Sequence, residues 1–205
     1  MSMKSVIISQ RVDFIKERSE FRDALDHRLT TLFADLGFVP IPVSNWFGDN
    51  LNNWLDAIGP RAVVISGGNN IGEYVCRDET EMQLLVYARK MQLPVFGICR
   101  GMQMMATFFG ARLRKVGGHA GTHHPLILTE LASGPFPSDV NSYHDWEIYD
   151  CPSELKVIAR SPDGCIEAIS HATLPWEGVM WHPERDLSPE STIKDRISSL
   201  FIGDF

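Results

Sequence analysis

The chain has 205 residues, of which 44% are hydrophobic and 22% are charged, and its formal net charge is −7. That length accommodates one domain with a substantial core, so we expect residues 1–205 to form a single domain. The negative charge argues against nucleic acid as a partner. No apolar run is long enough to span a bilayer or to form a signal peptide, so we expect no membrane partner either.

The cysteines indicate a reducing compartment. Cys76, Cys99, Cys151 and Cys165 are scattered along the chain without Cys-x-x-Cys spacing, which fits free thiols better than a disulfide framework. We therefore predict a cytoplasmic protein. The sequence leaves the oligomeric state open, and a homo-oligomer is compatible with it.

The first half of the chain alternates strand-like and helix-like segments. Short apolar runs predict strands at residues 6–8, 38–43, 62–66 and 95–98. Apolar side chains at three- and four-residue steps predict helices at residues 14–36, 51–58, 78–91 and 99–110. Asp78 is the expected N-cap of the third helix, and prolines mark the second strand as an edge strand. This alternation is typical of a parallel sheet covered by helices on both faces.

The second half is richer in short extended segments, broken by Gly and Pro from residue 111 to residue 181. Residues 155–160 and 165–170 flank a Ser-Pro-Asp-Gly sequence, which predicts a β-hairpin. A further strand at residues 178–181 leads into His182. An amphipathic helix is predicted at residues 191–201.

Cys99 lies where a predicted strand meets a predicted helix. Gly97 and Gly101 flank it two residues away on either side, which is the spacing of a nucleophile elbow with sulfur in place of hydroxyl. Such a turn imposes strained backbone angles on its central residue, and the helix N-terminus favours a negative charge on the sulfur. Cys99 is therefore a candidate nucleophile, and the alternative is a buried structural cysteine.

A cysteine nucleophile needs a base, and the base needs an orienting group. His182 and Glu184 lie two residues apart at the end of a predicted strand, so both side chains can point to the same face. We predict that His182 is the base and that Glu184 orients it. The alternative is an ordinary His-Pro turn with a solvated glutamate.

Backbone N–H groups that stabilise an oxyanion are the third requirement. Ser66-Gly67-Gly68 ends a predicted buried strand, and glycine lets a backbone amide approach a ligand closely. The N–H groups of Gly68 and of Arg100, the residue after Cys99, are the candidate oxyanion hole. A Gly-Gly pair after a strand is also commonly just a turn.

Three motifs together resemble the class I glutamine amidotransferase family. They are Ser66-Gly67-Gly68, Gly97-Ile-Cys-Arg-Gly-Met-Gln103 and Trp181-His-Pro-Glu184, within about residues 6–184. Arg77-Asp78-x-x-Glu81 and Asn141-Ser-Tyr-His144 narrow the resemblance to the stand-alone γ-glutamyl hydrolases of that family. The fold implied is α/β and flavodoxin-like, the class I glutamine amidotransferase fold, with a central, mostly parallel sheet and helices on both faces.

The resemblance also implies roles for individual residues. Cys99 would attack a γ-glutamyl carbonyl and form a thioester, with His182 as base and then acid. The positions implied at the pocket for the glutamyl head are Gly67, Gln103, Ser142, Tyr143 and His144. Arg11 is added as a substrate-binding candidate, because it follows the first strand where open α/β sheets bind ligands.

The predicted reaction is hydrolysis of a γ-glutamyl amide, which releases glutamate and needs no cofactor. The chain length and residues 66–73 resemble family members that act on γ-glutamyl-CDP-amidate in capsule phosphoramidate biosynthesis, and we rank that substrate first. Arg11, Arg100, His123 and His124 are candidate contacts for its nucleotide. γ-Glutamyl-γ-aminobutyrate ranks second among these small-molecule substrates.

Two other classes of function remain open. A glutaminase subunit that supplies ammonia to a partner synthetase would show a large exposed apolar patch. A binding module that has lost the chemistry is disfavoured, because Cys99, His182 and Glu184 are all present.

We predict no metal site. His119, His123 and His124 are neighbours in the sequence, but no acidic residue or cysteine lies among them, and metal sites usually combine such ligands. Glu167, in the predicted hairpin, could face a leaving group or could be an ordinary hairpin carboxylate.

Overall fold

The structure, a computed structural model, describes residues 4–186 and 192–203. Its strands are β1 Lys4–Ile8, β2 Arg11–Ile15, β3 Glu20–Ala24, β4 Phe38–Pro42, β5 Ala62–Ile65, β6 Val95–Ile98, β7 Arg112–Lys115, β8 Ala120–Pro125, β9 Ile127–Leu128, β10 Asp139–Tyr143, β11 Trp146–Asp150, β12 Leu155–Arg160, β13 Ile166–His171 and β14 Trp176–Val179. Its α-helices are α1 His27–Asp35, α2 Leu51–Ile58, α3 Val75–Met91, α4 Arg100–Phe108 and α5 Thr192–Ile202. Within these ranges, no helix combines the length and apolar character needed to cross a membrane.

A mostly parallel sheet forms the centre of the fold, as predicted. Within the described residues its strand order is β4-β1-β5-β6-β14-β13-β12-β9. Neighbours from β4 to β14 run parallel, whereas β13, β12 and β9 are antiparallel additions. The remaining strands pair separately as β2 with β3, β7 with β11 and β8 with β10. The chain therefore consists of a parallel α/β half followed by a β-rich half.

Helices cover both faces of the sheet. Successive side chains of a strand point in opposite directions, so each central strand presents apolar side chains to both faces. In β1, Val6 and Ile8 belong to a core cluster with residues of α1 and α5. Ile7 belongs to a second cluster with residues of α2, α3 and α4. All three side chains are fully buried. Because both of their faces are buried, the short strands at the centre of the sheet are apolar throughout.

The predicted helix at residues 14–36 is wrong over its first half. Residues 11–24 form a β-hairpin instead, with β2 and β3 antiparallel and Arg11, expected in a loop, at the start of β2. Phe14 and Phe21 are register partners whose ring centroids lie 4.8 Å apart. Their seven-residue spacing suits one face of a helix, but it equally suits two residues opposite each other across a hairpin. In this stretch α1 is the α-helix, and Lys16–Arg18 forms a single 3-10 turn between β2 and β3.

The other predicted elements need smaller corrections. The edge strand β4, helix α2 and the hairpin of β12 and β13 are confirmed. Asp78 is not an N-cap, because α3 begins at Val75 and the Asp78 carboxylate instead accepts a bond from Gly72 N–H at 2.7 Å. The strand predicted at residues 178–181 corresponds to β14, which begins and ends two residues earlier in the chain. Ser191, the predicted start of the last helix, lies outside the described residues.

The close packing of α4 on β5 predicts that Gly101→Ala destabilises the protein. A Cβ at Gly101 would lie 1.9 Å from the carbonyl oxygen of Ile65, and forcing an extra group into a packed core costs about 1–3 kcal/mol. Gly117→Ala is the control, since a Cβ there meets nothing within 4 Å. Urea denaturation should show a lower free energy of unfolding for Gly101→Ala only. Equal stability of both variants would contradict the packing described.

Candidate active site

Cys99 occupies a strained turn between β6 and α4, as the elbow pattern predicts. Its φ is 52° and its ψ is −110°, a conformation that is costly for a residue with a side chain. The backbone N–H of Cys99 donates to Val179 of β14 at 2.7 Å. A Cβ at Gly97 would lie 2.8 Å from the backbone of Gly101. The two flanking glycines are therefore required by close packing on both sides of the turn.

His182 lies beside Cys99 and is paired with Glu184. The Nδ1 atom of His182 is 2.6 Å from Oε1 of Glu184, and both side chains are buried. The Cys99 side chain lies close enough to the ring to influence its protonation, and the side chains of Cys99 and His182 both lie against Gly67. The pairing of His182 with Glu184 was predicted from strand alternation, and that origin is wrong. β14 ends at Val179, and a 3-10 turn at Pro183–Arg185, rather than strand alternation, brings Glu184 back onto His182.

The surroundings of His182 favour its protonated form. Burial lowers the pKa of His182, but hydrogen bonds and charge interactions with Cys99 and Glu184 outweigh that effect and raise the pKa to about 9. An imidazole held between a sulfur and a carboxylate can take a proton from the first while the second stabilises the imidazolium.

Asn141 belongs to the Asn141-Ser-Tyr-His144 motif and lies at the site, although no role was predicted for it. Its amide donates to the carbonyl of His182 and its carbonyl accepts from the N–H of His182, both at 2.9 Å. These two bonds fix the backbone of His182 as a neighbouring strand would. The next residues along β10 are also close, since the Tyr143 ring is edge-on to the His182 ring at 5.8 Å between centroids.

The loop after β5 is held by Arg77, which is fully buried. Arg77 donates to the carbonyl of Ser66 at 2.9 Å and to that of Gly67 at 2.8 Å. Because C=O and N–H point in opposite directions across a trans peptide, the N–H of Gly68 points away from Arg77. A Cβ at Gly67 would lie 2.8 Å from the His182 ring. This loop therefore passes directly against the imidazole.

Arg100 contributes its backbone to this region, but its side chain is turned away. The guanidinium is buried and pairs with Asp78 and Glu81 of α3. The expectation that Arg100 could contact a nucleotide is therefore wrong, since opposite charges on α3 hold the guanidinium inside the protein. Burial raises the pKa of Glu81, but the Arg100 and Arg77 charges outweigh it and leave the pKa lowered. The Arg100 N–H lies in the first turn of α4, where N–H groups have no intrahelical partner.

A cleft of about 300 Å³ opens beside His182. The residues lining it include Arg11, Gly67, Gly68, His182 and Glu184, together with the hairpin of β2 and β3. That hairpin is tied to the loop after β5, because the Asn69 side chain accepts from Val12 N–H at 2.8 Å and donates to the Val12 carbonyl at 2.9 Å. The structure thus brings Arg11 to the cleft, where it pairs with Asp13.

The remaining predicted pocket residues divide into two groups. Ser142 is fully buried, and its hydroxyl has no hydrogen-bond partner among residues 4–186 and 192–203. Gln103 and His144 instead donate to one backbone oxygen, that of Trp146, at 2.9 and 3.0 Å. The His144 ring contacts His119 and Glu167. Its side chain is therefore part of a different cluster from that around Cys99.

Comparison with known proteins identifies related sequences and structures. The glutamine amidotransferase class-I family model matches residues 15–197. The γ-glutamyl-CDP-amidate hydrolase of Campylobacter jejuni is 31% identical over 155 residues, covering 73% of this chain and 72% of that enzyme. A glutamine-hydrolysing GMP synthase subunit of Methanothrix thermoacetophila is 40% identical over 102 residues, covering 48% of this chain and 56% of that protein. A glutamine amidotransferase structure from Thermotoga maritima has the same fold, with a TM-score of 0.69, 20% identity, and coverage of 90% of this chain and 77% of that one.

The contacts of His182 predict an unusual titration. In the wild type its ring should titrate near pH 9, and in Cys99→Ala at lower pH, because a hydrogen-bond partner is lost. Since this pKa exceeds the ordinary value of about 6.5, the protonated ring stabilises the fold fully below about pH 6.5, and that contribution is lost as the pH rises through the folded value. Side-chain NMR of labelled histidine measures the titration. A midpoint near 6.5 in the wild type would contradict the geometry.

Proposed function

Because this chain belongs to the class I glutamine amidotransferase family, we propose that it hydrolyses a γ-glutamyl amide through a cysteinyl thioester. The observation that carries the proposal is the buried His182 ring, with the Cys99 side chain beside it and Oε1 of Glu184 2.6 Å from its Nδ1. That is the arrangement of nucleophile, base and orienting carboxylate that covalent acyl transfer requires.

In the proposed mechanism, Cys99 Sγ attacks the γ-carbonyl carbon of the substrate as a thiolate, because the proton is held by the imidazolium of His182. The N–H groups of Gly68 and Arg100 stabilise the tetrahedral oxyanion. The C–N bond then breaks as His182 gives its proton to the leaving nitrogen, which leaves a glutamyl thioester on Cys99. His182 next deprotonates a water molecule that attacks the thioester, releasing glutamate and restoring the Cys99 thiolate beside the protonated His182. None of these steps calls on a cofactor.

Recognition of the glutamyl head is assigned to groups around the cleft. A zwitterionic amino acid needs paired donors and acceptors rather than an apolar slot. Gly67 and Tyr143 border His182, and Ser142, which precedes Tyr143 on β10, offers a buried hydroxyl. Gln103 lies in the first turns of α4, and its amide is anchored on Trp146. The predicted substrate contacts of these residues remain part of this proposal, whereas the His144 side chain contacts His119 and Glu167.

The proposed substrate is γ-glutamyl-CDP-amidate, in capsule phosphoramidate biosynthesis. The relative of that name covers most of this chain. Arg11 and Arg185 line the cleft beside His182, and guanidinium groups suit the diphosphate of a nucleotide leaving group. γ-Glutamyl-γ-aminobutyrate is the second-ranked substrate. We further propose that residues 1–205 act as one domain in the cytoplasm, which the four free cysteines support.

A second candidate function, a glutaminase subunit that serves a partner synthetase, is favoured by an exposed apolar patch. Phe14 and Phe21, on the hairpin that walls the cleft, are 46% and 57% exposed, and nearby Val75 is 63% exposed. The Tyr74 ring packs edge-on against Phe21. Exposed apolar patches commonly mark interaction sites, and one relative is a GMP synthase subunit.

A substrate panel separates the two functions. Glutamate release would be measured with glutamine, γ-glutamyl-γ-aminobutyrate and γ-glutamyl-CDP-amidate, each with the wild type and Cys99→Ala. We expect Cys99-dependent release from γ-glutamyl-CDP-amidate that is far faster than from glutamine. Release from none of them by the isolated chain would reject the stand-alone hydrolase and favour the subunit. Turnover by Cys99→Ala equal to wild type would exclude Cys99 as the nucleophile.

The proposed roles of His182 and Glu184 predict losses of activity of different size in their variants. On the best substrate of the panel, His182→Asn should lose most of kcat, because general acid–base catalysis contributes about 10²–10⁴-fold. Glu184→Gln should keep a measurable part, since orientation is a smaller effect than loss of the base. Arg11→Gln is a matched control at the same cleft and should raise KM more than it lowers kcat. Full activity in His182→Asn would overturn the assignment.

A further inference from the structure

Four side chains outside the Cys99 site, all buried or nearly so, converge on one point. Glu167 of β13 is fully buried, and neither of its carboxylate oxygens has a hydrogen-bond partner within residues 4–186 and 192–203. Its Oε1 lies 3.8 Å from His119 Nδ1, 3.5 Å from His124 Nε2 and 3.4 Å from His144 Nε2. These three nitrogens also lack hydrogen-bond partners among the described residues. Unpaired buried polar atoms are rare in native proteins and require an explanation.

The opposite nitrogen of each ring has an oxygen partner. His124 Nδ1 lies 3.2 Å from the carbonyl of Pro125, and His144 Nδ1 lies 3.0 Å from that of Trp146. Because a carbonyl only accepts, Nδ1 of each of these rings carries a proton, and Nε2 is the nitrogen that faces Glu167. The Nε2 of His119 lies 2.9 Å from the Asp163 carboxylate, which leaves Nδ1 facing Glu167.

Lone pairs aimed at a buried carboxylate repel it unless a cation lies between them. A metal-binding histidine commonly donates its other N–H to a carboxylate or a backbone carbonyl, which fixes the tautomer. All three rings have that kind of partner on their outer side. The arrangement therefore supplies both the inner ligands and the outer shell of a metal site.

We propose that His119, His124 and Glu167 bind a divalent transition metal of the zinc class, which leaves a fourth coordination position for water. The ligand atoms of these three residues lie within 4.8 Å of one another. Ligands about 2.0 Å from a tetrahedral zinc ion lie about 3.3 Å apart, close to the separations from Glu167 Oε1. Two imidazoles and one carboxylate are a ligand set that such metals accept.

The prediction that no metal is bound depended on the absence of an acidic residue near His119 and His124 in the sequence. Glu167 supplies that residue from a distant part of the chain, because β13 brings its carboxylate within 4 Å of both rings. The proposal does not depend on the reaction assigned to Cys99, and it concerns different side chains.

The position of this site indicates what the metal would do. His124 lies on β8 and His144 follows β10, whereas Glu167 belongs to the central sheet. β8 and β10 pair only with each other among the described strands. β10 also carries Asn141 and Tyr143, which contact His182. The metal would therefore fasten the segment that positions His182 onto the central sheet.

Zinc binding by the full chain, expressed without a polyhistidine tag, tests the proposal directly. Elemental analysis of the purified protein should find about one divalent metal per chain. After chelation, Zn²⁺ titrated into the protein should raise the Tm, and Co²⁺ should give the visible absorption of a four-coordinate site. His123→Ala is the matched control, because His123 is a neighbour of His124 on β8 but its side chain is 68% exposed and faces Asp139. It should bind Zn²⁺ like the wild type.

Two variants should weaken binding to different extents. Asp163→Asn, which changes only the outer shell of His119, should lower Zn²⁺ affinity about 10- to 100-fold. Glu167→Gln removes a ligand and should lower it further, with circular dichroism confirming that the variant is folded. Wild-type protein that binds neither Zn²⁺ nor Co²⁺, with a Tm that chelation leaves unchanged, would overturn the proposal. Binding by Glu167→Gln equal to the wild type would overturn it equally.

Discussion

The buried ion network of Arg77, Glu81 and Arg100 is the interaction on which the candidate active site depends. Arg77 and Glu81 are fully buried, and Arg100 nearly so. Removing charges from water costs several kcal/mol per ion unless they are paired in good geometry, so these three groups constrain one another closely. Arg77 also holds the carbonyls of Ser66 and Gly67. The network therefore fixes the loop after β5 relative to the first residue of the helix that follows Cys99.

Polar side chains, rather than additional sheet pairing, attach the outer segments to this centre. Asn69 pairs with the backbone of Val12 and so holds the hairpin over the cleft. Asn141 pairs with the backbone of His182 in the same two-bond manner. Each asparagine imitates one step of a β-ladder, because an amide carries a donor and an acceptor like a peptide group. Segments that lie outside the central sheet thereby gain fixed positions at the site.

The proposed metal site lies beside the candidate active site and shares a contact with it. The carbonyl of Trp146 accepts from Gln103, in the helix that begins after Cys99, and from His144, in the histidine cluster. Glu167 is also linked to the strand that leads to His182, since its carbonyl accepts from Met180 N–H at 2.8 Å. A structural change at the histidine cluster can therefore be transmitted through these hydrogen bonds to Gln103 and towards His182.

The sequence by itself determined the features that depend on near neighbours. The elbow at Cys99 is encoded by two glycines within two residues of it, the covered sheet by alternating apolar segments, and the pairing of His182 with Glu184 by their short separation. Tertiary structure decided what depends on residues far apart in the chain. The seven-residue spacing of Phe14 and Phe21 fits a helix or a hairpin, and only packing selects the hairpin. The burial of Arg100 against α3 and the arrival of Glu167 among the histidines follow from how the sheet folds, because local patterns specify backbone conformation and not which distant charge a side chain meets.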